Sequence, residues 1–268
     1  MSLFYLMLLA SVQGITEFLP ISSSGHLILL HEYTGVTPDA LALDVAVHLG
    51  SILAVILYFR AEVARALRGT AEILRGSLAS ADAFLALALA IATVPALVFG
   101  AVLAFTGWID LLRSITVIGW MMILFGIALY WIDIRSPETR HLEGWTLKHA
   151  VRLGLWQAVA LIPGVSRSGI TITAARSLGY ARRDAARISM LMSIPITLAT
   201  GAFLVLDAGK SADLGALLVN SAIGAVMAFL AAYAALALMM RFLPVVSFTP
   251  YVVYRVLLGV VLLGIAYT

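Results

Sequence analysis

An apolar run of about twenty residues can span a lipid bilayer as a helix, and this chain has several that meet or approach that length. They are Ala83 to Phe105, Ile115 to Ile132, Ile188 to Leu206, Leu214 to Met240 and Val252 to Ala266. Composition agrees: 62% of residues are apolar and 12% charged, against roughly 25% charged in soluble domains. A bilayer satisfies no backbone polar groups, so the spans must be helices or a closed barrel. None of these runs alternates polar and apolar residues as barrel strands do. The expected class is therefore an all-α polytopic membrane protein.

Several other classes fall away. Residues Leu3 to Ala10 could pass for a signal-peptide core, but no Lys or Arg precedes Arg60, so the N-terminus is expected to be retained. The absence of Cys excludes disulfides, thiolate catalysis and Cys-ligated metal. A pI near 9.3 invites a nucleic-acid partner. The basic residues cluster between apolar runs, however, where positive-inside topology already accounts for them.

Those clusters order the chain. Arg60, Arg65, Arg68 and Arg75 form one; Arg135, Arg140, Lys148 and Arg152 a second; Arg176, Arg182, Arg183 and Arg187 a third; Arg241 stands alone. All should be cytoplasmic. The turns carrying Asp110, and Asp207 to Asp213 with Lys210, fit the outer face. Alternation then works for six spans, roughly 41–59, 82–106, 113–132, 188–206, 214–239 and 249–267.

Two hydrophobic pieces are left over, about 1–32 and 148–179, each broken by Pro, Gly and Ser. Either one crossing the membrane would reverse everything after it. Each is instead expected to dip in and return as a re-entrant helical hairpin, the first from outside and the second from inside. A shift of 144 residues lays Gln157, Ser166, Ser168 and Gly169 over Gln13, Ser22, Ser24 and Gly25. This predicts an inverted-topology repeat within a single membrane domain, with halves of about 1–132 and 148–268 and a site where the broken segments meet.

The first segment reads Gln13-Gly-Ile-Thr-Glu17-Phe-Leu-Pro20-Ile-Ser22-Ser23-Ser24-Gly25-His26. If Pro20 or Ile21 opens a helix, Ser22, Ser23 and Ser24 lie at its positive end, an anion site. Glu17 falls one turn after Gln13, and His26 three residues after Ser23, so both pairs can share a helix face. A hydroxyl, an imidazole and a carboxylate at membrane depth suggest a nucleophile, a base and an orienting acid. The plainer alternative is that the serines glue helices and the histidine is a satisfied core donor.

The second segment, Pro163-Gly-Val-Ser166-Arg167-Ser168-Gly-Ile-Thr171, offers three hydroxyls and a guanidinium fork suited to phosphate oxygens. Here the alternative is a structural ion pair between Arg167 and Glu17, which would itself bring the segments together. Other polar residues carry less. His31, Glu32, Asp39, His141 and His149 are expected to be solvated; Asp44 with His48, one turn apart, could cap a metal site but are expected to be structural. Ala228, Ala231, Ala232 and Ala235 have the spacing of a close helix contact.

QGITEFLPISSSGH and PGVSRSGIT resemble the two signature motifs of the undecaprenyl-diphosphate phosphatase family, the BacA type of bacitracin resistance protein, and length and hydropathy match as well. The resemblance implies hydrolysis of undecaprenyl diphosphate to the monophosphate, at a site reached from the periplasmic side of the bacterial inner membrane. It places the nucleophile at Ser23, the catalytic imidazole at His26, the second acid at Glu17 and the phosphate-binding arginine at Arg167. Ser22, Ser24, Ser166, Ser168, Thr171 and Gln13 would complete the phosphate pocket. Gln13 stands where the family's motif has its first acid. The resemblance also implies a divalent cation, Mg2+ or Ca2+. Glu17 is the only motif carboxylate that could touch it, so the diphosphate itself would hold most of its coordination.

The expected partners are a polyprenyl diphosphate and membrane lipids, with a homodimer left open and no nucleic acid. Two alternatives remain at this point. Water could attack phosphorus directly, with Ser23 merely binding. A transporter or flippase of an anionic lipid would use the arginine and helix ends without the Ser, His and Glu set.

Overall fold

The computed structural model describes residues 3–34, 40–108, 112–207 and 214–268. The roles expected of Asp39, Asp110, Lys210 and Asp213, and of the side chains of His31, Glu32 and Asp207, lie outside the described residues. Eleven α-helices run through the described residues: α1 (Leu3–Phe18), α2 (Ser23–Thr34), α3 (Ala40–Tyr58), α4 (Arg60–Leu74), α5 (Ala81–Thr106), α6 (Ile115–Arg135), α7 (Leu147–Val159), α8 (Arg167–Ser177), α9 (Arg182–Asp207), α10 (Leu214–Phe242) and α11 (Thr249–Tyr267). No strand occurs among them; one isolated bridge pairs Arg140 with Tyr180.

Five of these helices, α5, α6, α9, α10 and α11, are long and apolar enough to cross a bilayer, and α3 with α4 passes as a sixth unit bent by 92°. The protein is a multi-pass membrane protein, and the six spans read from the sequence fall on α3, α5, α6, α9, α10 and α11. Leu124, Val226, Leu230 and Leu257 stand exposed on their outer surfaces, as lipid-facing side chains should. Serine and threonine hydroxyls open four of the helices: Ser80 accepts from the Ala83 amide, Ser114 from Val117, Thr146 from His149 and Ser166 from Gly169.

Helix α4 was not anticipated in the basic stretch 60–75. It turns away from α3 with one apolar and one basic face, and is anchored where Arg65 and Arg68 donate to Asp82 of α5. His149, expected to be solvated, is instead partly buried and hydrogen-bonded. Its Nδ1 lies 2.7 Å from the Tyr180 hydroxyl, which burial pushes up to about 12 and so keeps protonated at ordinary pH.

The two broken segments form helical hairpins, α1 with α2 and α7 with α8. At 1.5 Å per residue their arms are about 16–24 Å long, short of the ~30 Å hydrocarbon core. Each hairpin's first arm packs on a long span, α1 on α10 and α7 on α5. Both contacts need glycine: a Cβ at Gly14 would come within 2.5 Å of the Ala228 carbonyl oxygen, and one at Gly154 within 2.7 Å of the Ala92 oxygen. The alanine stripe of α10 is thus a close-packing seam, as its spacing predicted. Helix α3 packs on α10 and α9, and α6 on α11, completing the bundle around the hairpin tips.

At the basic end of the bundle, fully buried Arg176 donates through Nε to buried Asp133, at 2.8 Å, and through its other nitrogens to four carbonyl oxygens. Asp133 also accepts from Arg182 Nε and from the Phe248 amide, joining α6, α8, α9 and the start of α11. Asp133→Asn removes the carboxylate hydrogen-bonded to buried Arg176, leaving, among the described residues, only Glu138 at 4.0 Å. The expected cost is about 3–5 kcal/mol, read as a lowered midpoint of thermal unfolding in detergent; an unchanged midpoint would contradict it.

Candidate active site

The two tips have the same backbone turn. Ser22 and Ser166, 144 residues apart, are the non-glycine residues with positive φ among those described, each at 70°. Left-handed backbone costs a residue with a Cβ, so such turns persist where surrounding structure imposes them. Each turn stops one helix and starts the next, α2 at Ser23 and α8 at Arg167. Pro20 and Ile21, expected to open the second helix, lie in the turn instead, because the left-handed Ser22 interrupts helical backbone after them. In each tip the turn serine pairs with the serine two residues on, Ser22 with Ser24 at 3.0 Å and Ser166 with Ser168 at 3.2 Å.

Three direct bonds join the tips. Arg167 Nη2 donates to Glu17 Oε1 at 3.2 Å, Ser168 Oγ donates to the Leu19 carbonyl at 2.9 Å, and the Gly164 amide donates to Ser24 Oγ at 3.2 Å. A fourth link is indirect. Arg255 of α11, fully buried, donates to the Gly164 and Val165 carbonyls, to Met122 of α6 and, at a longer 3.5 Å, to Pro20.

Glu17 is the hub of the site. Its Oε2 accepts from Gln13 Nε2 and from Ser23 Oγ, both at 2.9 Å, while Oε1 takes the Arg167 donor. The Arg167–Glu17 ion pair expected as an alternative is therefore present. It does not consume the guanidinium, since buried Nη1 of Arg167 has no hydrogen-bond partner among the described residues. Glu17, Ser22, Ser23, Ser24, Ser166 and Arg167 together line one cavity of about 430 Å³. This places a hydroxyl bonded to a carboxylate beside a donor with spare capacity, an arrangement suited to a phosphoryl group.

A model of the family described as bacitracin resistance protein BacA matches residues 6–261. The chain belongs to the BacA family. Among its relatives are a protein of Dinoroseobacter shibae named undecaprenyl-diphosphatase, 59% identical over 268 residues covering 100% of both chains, and one of the same name from Jannaschia sp., 58% identical over 267 residues with the same coverage. A more distant one from Chromohalobacter salexigens is 44% identical over 95% of this chain and 96% of its own.

Of the residues that the BacA motifs single out, four stand elsewhere than on the cavity wall. His26 faces α11: its Nδ1 donates to the Ser22 carbonyl at 2.8 Å and its Nε2 accepts from the Tyr254 hydroxyl at 2.7 Å, the rings stacking. The expected orientation of His26 by Glu17 is not what the structure has, because on α2 the imidazole folds back over the turn to Ser22 rather than toward Ser23. Gln13 is wholly buried and reaches the cavity only through Glu17. Thr171, also wholly buried, donates back to the Arg167 carbonyl one turn earlier and shares a bond with Ser189. Ser168 is buried under Leu19.

The cavity also contains residues the motifs do not include, notably Asp44, His48 and Arg113. His48, expected to be structural, is 3.8 Å from Glu17. No motif marks it; only the packing of α3 beside α1 reveals the position. Arg255 did carry a signal, a lone cation within the apolar run Val252 to Ala266, where an ionisable residue is costly.

A resident divalent cation does not fit this donor set. Both oxygens of Glu17 are taken by nitrogen and hydroxyl donors, and the described residues contain no group of three or more His, Asp or Glu placed to hold a metal.

Proposed function

We propose that the chain hydrolyses undecaprenyl diphosphate to undecaprenyl monophosphate and phosphate, recycling the lipid carrier of peptidoglycan and other envelope polymers. The observation that carries this reading is the Ser23 hydroxyl bonded to Glu17 in a cavity shared with Arg167. The full-length relatives named undecaprenyl-diphosphatase support it.

The diphosphate enters with its prenyl tail in the bilayer and its terminal phosphoryl oxygens toward Arg167 Nη1 and the hydroxyls of Ser22, Ser24 and Ser166. Ser23 Oγ attacks the terminal phosphorus, the bond to the bridging oxygen breaks, and the lipid monophosphate leaves. Glu17 Oε2 takes the Ser23 proton along the existing hydrogen bond. Any Mg2+ or Ca2+ arrives with the diphosphate as part of the substrate. A flippase would need the arginine but not a hydroxyl bonded to a carboxylate, which favours hydrolysis.

The site faces the periplasm across the inner membrane. In support, the cavity is walled by Asp44, Arg113 and Thr200, near the ends of α3, α6 and α9 that adjoin the weakly basic turns, while the arginine clusters lie at the opposite ends. The two halves form an inverted repeat, a reading supported by the matching tips and by the reciprocal packing of α1 on α10 and α7 on α5.

The test is phosphate release from undecaprenyl or farnesyl diphosphate by the purified protein. Wild type should turn over, and Arg167→Ala should lower kcat/KM by roughly 10²–10³-fold through loss of charge stabilisation on the transferring phosphoryl group. Absence of release from wild type, or equal rates for the two proteins, would defeat the assignment.

A further inference from the structure

Once Glu17 holds the Ser23 proton, the water that must cleave the phosphoserine still needs a base, and the motif histidine is badly placed to be one. Both ring nitrogens of His26 are engaged, by Ser22 and Tyr254, and the ring does not line the cavity. His48 of α3 does line it. Its Nδ1 is 2.6 Å from the Asp44 carbonyl oxygen one turn earlier. A carbonyl only accepts, so Nδ1 carries the proton and Nε2 is the basic nitrogen of the neutral ring. Nε2 lies 3.8 Å from Glu17 Oε2, the oxygen that accepts from Ser23. The side chain is 36% exposed, open to the cavity and to water.

We propose that His48 is a catalytic residue of this chain, the base that activates water in the second half-reaction. The proposal rests on reading Ser23 as the nucleophile of a phosphatase. Water forms a bond to the phosphorus of phosphoserine 23 as the bond from phosphorus to Oγ breaks. The proton leaving water goes to His48 Nε2, and Ser23 Oγ regains its proton from Glu17. Phosphate departs, and His48 passes its proton to solvent. Water is the only other reactant, and both side chains end as they began.

The charged groups facing His48 are Glu17 from α1, Asp44 from its own helix, Arg113 ahead of α6 and Arg167 from α8; α9 turns uncharged side chains such as Thr197 toward the cavity. The only charged residue of α10, Arg241, sits at its far end. A base that must be unprotonated to accept the proton of water gives kcat an acid limb.

The experiment compares kcat against pH for wild type, His48→Gln and His26→Gln, all full length, releasing phosphate from farnesyl diphosphate. Each reaction is also quenched to measure phosphoserine. His48→Gln retains a polar side chain near Glu17 but cannot accept a proton. It should lose the acid limb, fall about 10²-fold in kcat, keep its KM, and accumulate phosphoserine at position 23. His26→Gln should keep the limb even if its rate falls through a loosened Ser22 turn. The proposal is overturned if His48→Gln keeps the limb without accumulating phosphoserine, or if His26→Gln is the variant that loses it. Either result leaves the phosphatase reading intact, whereas wild type releasing no phosphate overturns both.

Discussion

Ser23→Ala should lower kcat for phosphate release by roughly 10³-fold or more, the range for removing a nucleophile, with little loss of stability. The asymmetry follows from the hydrogen bonds. Ser23 Oγ donates to Glu17 Oε2, but that oxygen also accepts from Gln13, and Arg167 holds Oε1. Deleting the hydroxyl therefore strands no buried charge and costs about 1 kcal/mol of hydrogen bonding. The same bond predicts where the proton goes when Ser23 attacks, so Glu17→Gln should be slow while still binding the diphosphate. Quenched wild-type reactions should contain phosphoserine at position 23, and Ser23→Ala should contain none. A Ser23→Ala protein as active as wild type would mean that water attacks phosphorus directly and that Ser23 only binds.

Much of this site could be read before any geometry, for a physical reason. Polar groups in hydrocarbon are expensive, so a segment that retains Gln13, Glu17, Ser23 and His26, or Ser166 and Arg167, amid apolar runs announces itself. Counting spans against the arginine clusters turned each segment into a hairpin. The 144-residue shift paired the two serines that share a left-handed turn. Rotamer direction was not legible. His26 and Ser23 are three residues apart on α2, a spacing that permits contact without requiring it, and the ring instead closes on Ser22 and Tyr254. Thr171 and Ser168 show the same limit, since a hydroxyl on a helix can face the site or donate to a carbonyl instead, Thr171 back along its own helix and Ser168 across to Leu19.

Residues supplied by other helices were harder still. His48 and Arg113 reach the cavity through the packing of whole helices, which no local pattern encodes. The arginines of helix α4 carry a topology signal that masks its helical period. They are also the polar face of an amphipathic helix, and two of them hold Asp82.

Arg255→Ala should be the most destabilising single substitution in the site's support, at about 3–5 kcal/mol, through the buried carbonyl oxygens it leaves without a donor. The guanidinium is fully buried and has no carboxylate partner among the described residues. Its attraction is divided among carbonyl oxygens of Met122, Gly164, Val165 and, at longer range, Pro20. Those carbonyls belong to both re-entrant tips and to α6, and a tip that ends one helix and begins another has few internal partners for them. Removing the fork leaves the tip carbonyls without this donor in the buried interior, where each orphan costs about 1–3 kcal/mol. The tips then lose the support that keeps Glu17 beside Arg167, so kcat should fall together with stability. Arg255→Lys keeps the charge but offers a point donor in place of a planar fork, and cannot reach both tips and Met122 at once. It should therefore recover part of the stability and less of the rate. Thermal midpoints in detergent and kcat for the three proteins decide the matter: an Arg255→Ala protein that unfolds within about 0.5 kcal/mol of wild type, the scatter of ordinary surface substitutions, would show that the hairpin tips hold together without this clamp.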